Sequence, residues 1–226
     1  MTAEPRTLAD LGPIEQLRAG RLPRRLIQLA VGLVAYGLSL ALMVRGDLGL
    51  APWDVLHYGL TLHLPVSFGA SIVLTSFVVL MLWIPLREKP GVGTLANAVV
   101  VGVAADVSLT VLPHPSGLAL RAVFTVGGVV LCGLATALYI GAQLGRGPRD
   151  GLMTGLHRTT GRSIRLVRTC IELTVLGIGL ILGGSVGIGT LLYAFGIGPL
   201  AQLMLPPLIV VLPEGDPDRE PELEGR

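Results

Sequence analysis

The sequence predicts an all-α polytopic membrane protein: six transmembrane helices forming two inverted three-helix repeats, each with a short half-helix. Composition, the spacing of apolar runs and a repeat of the chain against itself carry that expectation. Of 226 residues, 51% are hydrophobic and 14% charged, against roughly a quarter charged in a soluble domain. Mean hydropathy is +0.72. Such a balance excludes a disordered chain, a disulfide scaffold and an ordinary water-soluble enzyme. A net charge of +2 gives no basis for a nucleic-acid partner, so the lipid bilayer is the expected surrounding.

A bilayer core about 30 Å thick takes about 20 apolar residues per helix. Residues 1–24 are polar, basic and Pro-containing, and read as a cytoplasmic segment without a cleaved signal peptide. Uncharged runs follow at 26–44, 64–86 and 122–145, and the run 90–121 is interrupted only by Asp106. Residues 173–213 carry no charge and are too long for one helix. The run Gly183-Gly184-Ser185-Val186-Gly187-Ile188-Gly189 divides them at a turn. Helices are therefore expected near 25–45, 66–86, 93–112, 121–142, 166–183 and 189–211, with Trp53 and Trp83 as interfacial anchors. Residues 212–226 read as an acidic, disordered cytoplasmic tail. With the N-terminus inside, fifteen of the 17 Lys and Arg residues fall on the cytoplasmic side and only Arg45 and Arg121 outside. That bias predicts a bacterial cytoplasmic-membrane protein with both termini cytoplasmic.

An offset of 96 residues aligns 25–102 with 121–198 without a gap, giving 24 identities in 78 columns. The halves 25–113 and 121–211 are then each read as three spans. An odd number of spans per half makes the second enter the membrane from the opposite face, as in many secondary transporters.

Uncommon residues concentrate in two matching segments, Pro52-Trp53-Asp54 and Pro148-Arg149-Asp150. Pro at the first helical position and an acid two residues on favour a helix start. Residues 52–62 would make about 16 Å of helix, too short to cross. Two half-helices with N-terminal ends aimed inward would suit an anionic or dipolar ligand, with Arg149 meeting an anionic group. Alternatively, Asp54 and Asp150 only stabilise their own helix starts. Arg165, Arg168 and Glu172 share a helix face, and Arg168 is the expected partner of Glu172, as a salt bridge or a gating element. Two four-residue stripes end in polar groups: Thr94, Ala98, Gly102 and Asp106, and Thr190, Ala194, Gly198 and Gln202. Small residues at that spacing allow close helix approach. Asp106 is the candidate coupling carboxylate, with a hydrogen bond to a neighbouring helix as the alternative. His57, His63, His114 and His157 show no metal-ligand spacing.

The segments Pro52-Trp53-Asp54-Val55-Leu56-His57-Tyr58-Gly59-Leu60 and Gly147-Pro148-Arg149-Asp150-Gly151-Leu152-Met153 are similar to signatures of the YczE/YyaS/YitT family of bacterial integral membrane proteins. Ser163-Ile164-Arg165-Leu166-Val167-Arg168 and the Gly183–Thr190 run continue the likeness, which extends from residue 25 to about residue 206 and is greatest to the YczE branch. The resemblance implies a bacterial membrane protein and carries over no catalytic residues. From the residues themselves, a small secondary transporter or permease is expected, with an unknown, anionic small-molecule substrate at Pro52–Asp54 and Pro148–Asp150. Asp106, Gln202, Arg168 and Glu172 would serve coupling or gating. The alternative is a non-transporting accessory or regulatory subunit of an export or synthesis system; under either reading, a homodimer or a membrane-complex partner is expected. No enzyme activity, cofactor or metal is expected, because no nucleophile, zinc or nucleotide motif is visible.

Overall fold

The apolar runs become helices wherever they are long enough to satisfy their backbone internally, which a hydrocarbon environment demands. The computed structural model describes residues 8–9 and 11–213, and the acidic tail from residue 214 onward lies outside the described residues. Within these limits the order is α1 (Pro13–Arg18), α2 (Leu22–Gly46), α3 (Pro52–His63), α4 (Phe68–Leu86), α5 (Val92–Val111), α6 (Leu118–Gly141), α7 (Pro148–Thr160), α8 (Ile164–Ile181) and α9 (Ile188–Leu208).

Five of these, α2, α4, α5, α6 and α9, are long and apolar enough to cross a membrane. The expectation of six spans arranged as two inverted three-helix repeats is therefore corrected. The helix anticipated at 166–183 exists as α8, but it starts at Ile164 and includes Arg165, Arg168 and Glu172. Eighteen residues give about 27 Å of helix, and its first half is too charged for hydrocarbon. Three candidate spans lie in the first half of the chain and two in the second, so the equal division into inverted triplets does not hold.

α2 packs most extensively on α6 and α5, α6 on α9, α4 on α5 and α7, and α3 on α8. The main core, which includes Leu33, Met43, Cys132 and Leu144, lies where α2, α5, α6 and α9 meet. A second core joins Trp53, Val79, Trp83, Leu152 and Val175. Both tryptophans are thus interior, at 9% and 3% exposure, rather than interfacial anchors. The indole of Trp83 donates to the carbonyl of Pro148 at 2.9 Å, which satisfies its N–H away from water.

α4 and α5 approach backbone to backbone. A Cβ on Gly69 would lie 2.0 Å from the Gly102 carbonyl oxygen and 2.6 Å from the Asp106 carboxyl carbon. Gly69→Ala should therefore force the helices apart and destabilise the protein by about 1–3 kcal/mol. That outweighs the roughly 1 kcal/mol alanine adds through helix propensity. Thermal unfolding in detergent reads the difference, and an unchanged midpoint would contradict this packing.

Candidate functional site

Two short helices start in the interior. α3 and α7 have 12 and 13 residues, each with Pro in the first turn and an acid, Asp54 or Asp150, beside it. Ala51 and Gly147 precede them in extended conformation and offer no side-chain cap. The first turn of α7 is fixed by the Trp83 bond to Pro148 and by Gly151, where a Cβ would fall 2.0 Å from the Trp83 ring. That anchoring carries Arg149 and Asp150 into the bundle.

The guanidinium of Arg149 lies 5.8 Å from the centroid of the Tyr36 ring, within range of a cation–π attraction. Its Nη1 donates to the Tyr193 hydroxyl at 3.3 Å, and its Nε stands 3.9 Å from Asp150 Oδ1. The Tyr139 hydroxyl donates to Asp150 Oδ2 at 2.5 Å, and Tyr36 and Tyr139 meet edge to face at 6.1 Å. Tyrosines from α2, α6 and α9 thus enclose one cation. The Arg149–Asp150 contact is long and single, unlike the paired fork that an arginine and a carboxylate form when they neutralise each other. The side chains of Arg149 and Asp150 keep 29% and 27% exposure, and both border two partly open cavities.

The first cavity gives water-sized occupants about 60 Å³ and lies between the starts of α3 and α7. Of the residues expected at the site, Trp53, Asp54, Pro148, Arg149 and Asp150 line it. Pro52 is buried at the start of α3 and is not among the lining residues. A second cavity of about 210 Å³ adjoins Trp53, Arg149 and Asp150 and brings in Arg168, Glu172 and Gln202. There Arg168 Nε donates to Glu172 Oε1 at 3.0 Å. A third, of about 320 Å³, runs from Asp150 past Arg146 to Gln16 and Leu8.

Asp106 stands apart. Its carboxylate accepts the Gly69 N–H at 2.7 Å and the Ser67 hydroxyl, so it serves the start of α4. His57, by contrast, lines the first cavity, 7% exposed, with Nδ1 3.2 Å from Oδ1 of Asp54. Sequence reasoning missed this histidine and the tyrosine enclosure. The available signals were the three-residue spacing of Asp54 and His57, and the placement of Tyr36, Tyr139 and Tyr193 within apolar runs. Among the described residues, no three His, Cys, Asp or Glu side chains are grouped to hold a metal ion.

Residues 23–206 match DUF6198, a family of unknown function. An uncharacterized protein of Haemophilus influenzae is 39% identical over 169 residues, covering 75% of this chain and 78% of its own. The uncharacterized membrane protein YczE of Bacillus subtilis is 35% identical, over 80% of this chain and 85% of its own. The uncharacterized protein YyaS of Bacillus subtilis is 29% identical, over 78% and 90%. No solved structure matches. These relatives bear out the likeness of the chain to YczE and YyaS. With the matched region spanning most of the chain and five helices apolar enough to cross a bilayer, the chain belongs to DUF6198, as a YczE- and YyaS-like bacterial multi-span membrane protein.

Proposed function

We propose that this protein is a permease for small anions and that Arg149 is the group that binds them. One observation supports this reading above the others. A half-buried guanidinium with donors to spare stands among apolar helices, faced by an aromatic ring and a hydroxyl, and bordered by cavities on two sides. A charge so placed is expensive unless it is paired or used. Its partner Asp150 is already engaged by Tyr139. The second and third cavities both reach Asp150, giving a discontinuous path from Arg149 toward the residues before α1. Their sizes suit an anion of a few heavy atoms.

The test is thermal unfolding of detergent-purified protein in formate, acetate, lactate, phosphate or sulfate at fixed ionic strength, with gluconate as the reference. A ligand at a hundred times its Kd stabilises the native state by about 2.7 kcal/mol. At least one of these anions should raise the midpoint and should also enter proteoliposomes faster than empty vesicles. A midpoint indifferent to all five overturns the proposal.

A further inference from the structure

We propose that the anion moves together with a proton, and that His57, held by Asp54, is the group that takes this proton; the inference rests on the anion reading above. The argument starts from the charges that line the first cavity. With the carboxylates ionised and the imidazole unprotonated, Asp54, Asp150 and Arg149 give the lining one net negative charge. A monoanion arriving beside Arg149 would add a second negative charge in a region of low dielectric, where like charges repel strongly. A proton on His57 offsets that addition, and the lining then carries the same net charge loaded as empty.

The geometry supplies the acceptor. His57 and Asp54 are 7% and 3% exposed, and both border the cavity. An ionised carboxylate only accepts, so the Nδ1–H of the ring donates to Asp54 Oδ1 across 3.2 Å. Nε2 then keeps the lone pair that binds a proton. Imidazole is the side chain suited to such exchange near neutral pH. Around it, α2 contributes Tyr36, α6 Tyr139, and α7 Arg149 and Asp150. α5 contributes the neutral Asn97, and α4 the Phe68 ring with uncharged Thr75 and Ser76. On α8, Arg168 and Glu172 face the neighbouring cavity, where they pair with each other. Asp54 is therefore the acid in hydrogen-bond contact with the imidazole. The proton binds Nε2 from water on one side and returns to water on the other, with no covalent intermediate.

The experiment measures formate and lactate affinity between pH 6 and 8, where both stay ionised, for wild type, His57→Gln and Asp54→Asn in detergent. One proton taken up per anion tightens binding by about tenfold for each unit of falling pH on the alkaline side of the imidazole titration. His57→Gln should still bind, with that slope abolished, and Asp54→Asn, which removes the carboxylate to which the ring donates, should alter the slope without abolishing binding. On wild type alone, adding lactate to weakly buffered protein at pH 7.5 should draw close to one proton per bound anion, read with a pH dye. A flat wild-type profile, absent proton uptake, or a slope that survives in His57→Gln overturns the coupling and leaves the anion site standing. Absence of formate and lactate binding in wild type at every pH overturns the coupling, and the anion site falls with it when acetate, phosphate and sulfate also leave the thermal midpoint unchanged.

Discussion

Arg149→Ala should abolish stabilisation by small anions and weaken their binding by about thirtyfold, the lower end of the range for truncating a hydrogen-bonded interfacial charge, as suits a half-buried side chain. The side chain supplies the cation of the α3–α7 cavity, and its neighbours cannot replace it. Tyr36, Tyr139 and Tyr193 are neutral donors, and Arg168 is committed to Glu172. Removing the guanidinium leaves Asp54 and Asp150 facing the cavity without a counter-charge, so the variant repels the ligand that wild type attracts. Arg149→Lys separates charge from shape. An ammonium keeps the charge but loses the planar face that lies against Tyr36 and the fork of donors. It should recover part of the affinity and little selectivity between a planar carboxylate and tetrahedral phosphate. Calorimetric or fluorescence titration measures both variants, and wild-type affinity in Arg149→Ala would remove the site.

The largest effect on stability is expected at Arg25, whose side chain is fully buried. Its Nε donates to the Ala142 carbonyl at 2.8 Å, and its Nη groups donate to the carbonyls of Gln16 and Gln143. One guanidinium thus closes the C-terminal end of α6, where carbonyls have no helical partner, and ties α1 to it. Arg25→Ala leaves three carbonyls without their donor and should cost about 2–4 kcal/mol, since a hydrogen bond to a charged group contributes about 1.5–3 kcal/mol and water recovers part of the loss. Lysine reaches fewer of those carbonyls and should restore only part. Thermal unfolding in detergent checks this, and a loss below about 1 kcal/mol would show that water replaces the side chain.

Arg24 and Arg25 show where sequence reasoning stops. Both belong to the basic cluster that orientation rules explain, yet Arg24 is exposed and Arg25 is the buried latch. The difference arises from which face of α2 meets α6, a tertiary fact. The two Pro-initiated helices were legible because proline and an acid act locally on a first turn. The small-residue stripe ending at Asp106 was legible too, since Gly102 does meet Gly69. The span count was not. A long uncharged run invited two crossings, while the charges that disqualify α8 lie upstream in the same helix. Tryptophan misled for a related reason: an amphipathic ring is common at interfaces, and only packing reveals that Trp83 has found its acceptor at Pro148. The histidine at 57 was overlooked because its partner is a carboxylate three residues away, not a metal-ligand set.

The placement of the indoles has a practical consequence. The chain has two tryptophans. Trp53 borders both cavities beside Arg149, and Trp83 is bonded to the residue preceding it. Tryptophan emission from the unlabelled protein therefore originates wholly within the second core, against the first turn of α7. Any solute that shifts that turn changes the light the protein gives off, so occupancy can be followed in real time without dyes or engineered reporters.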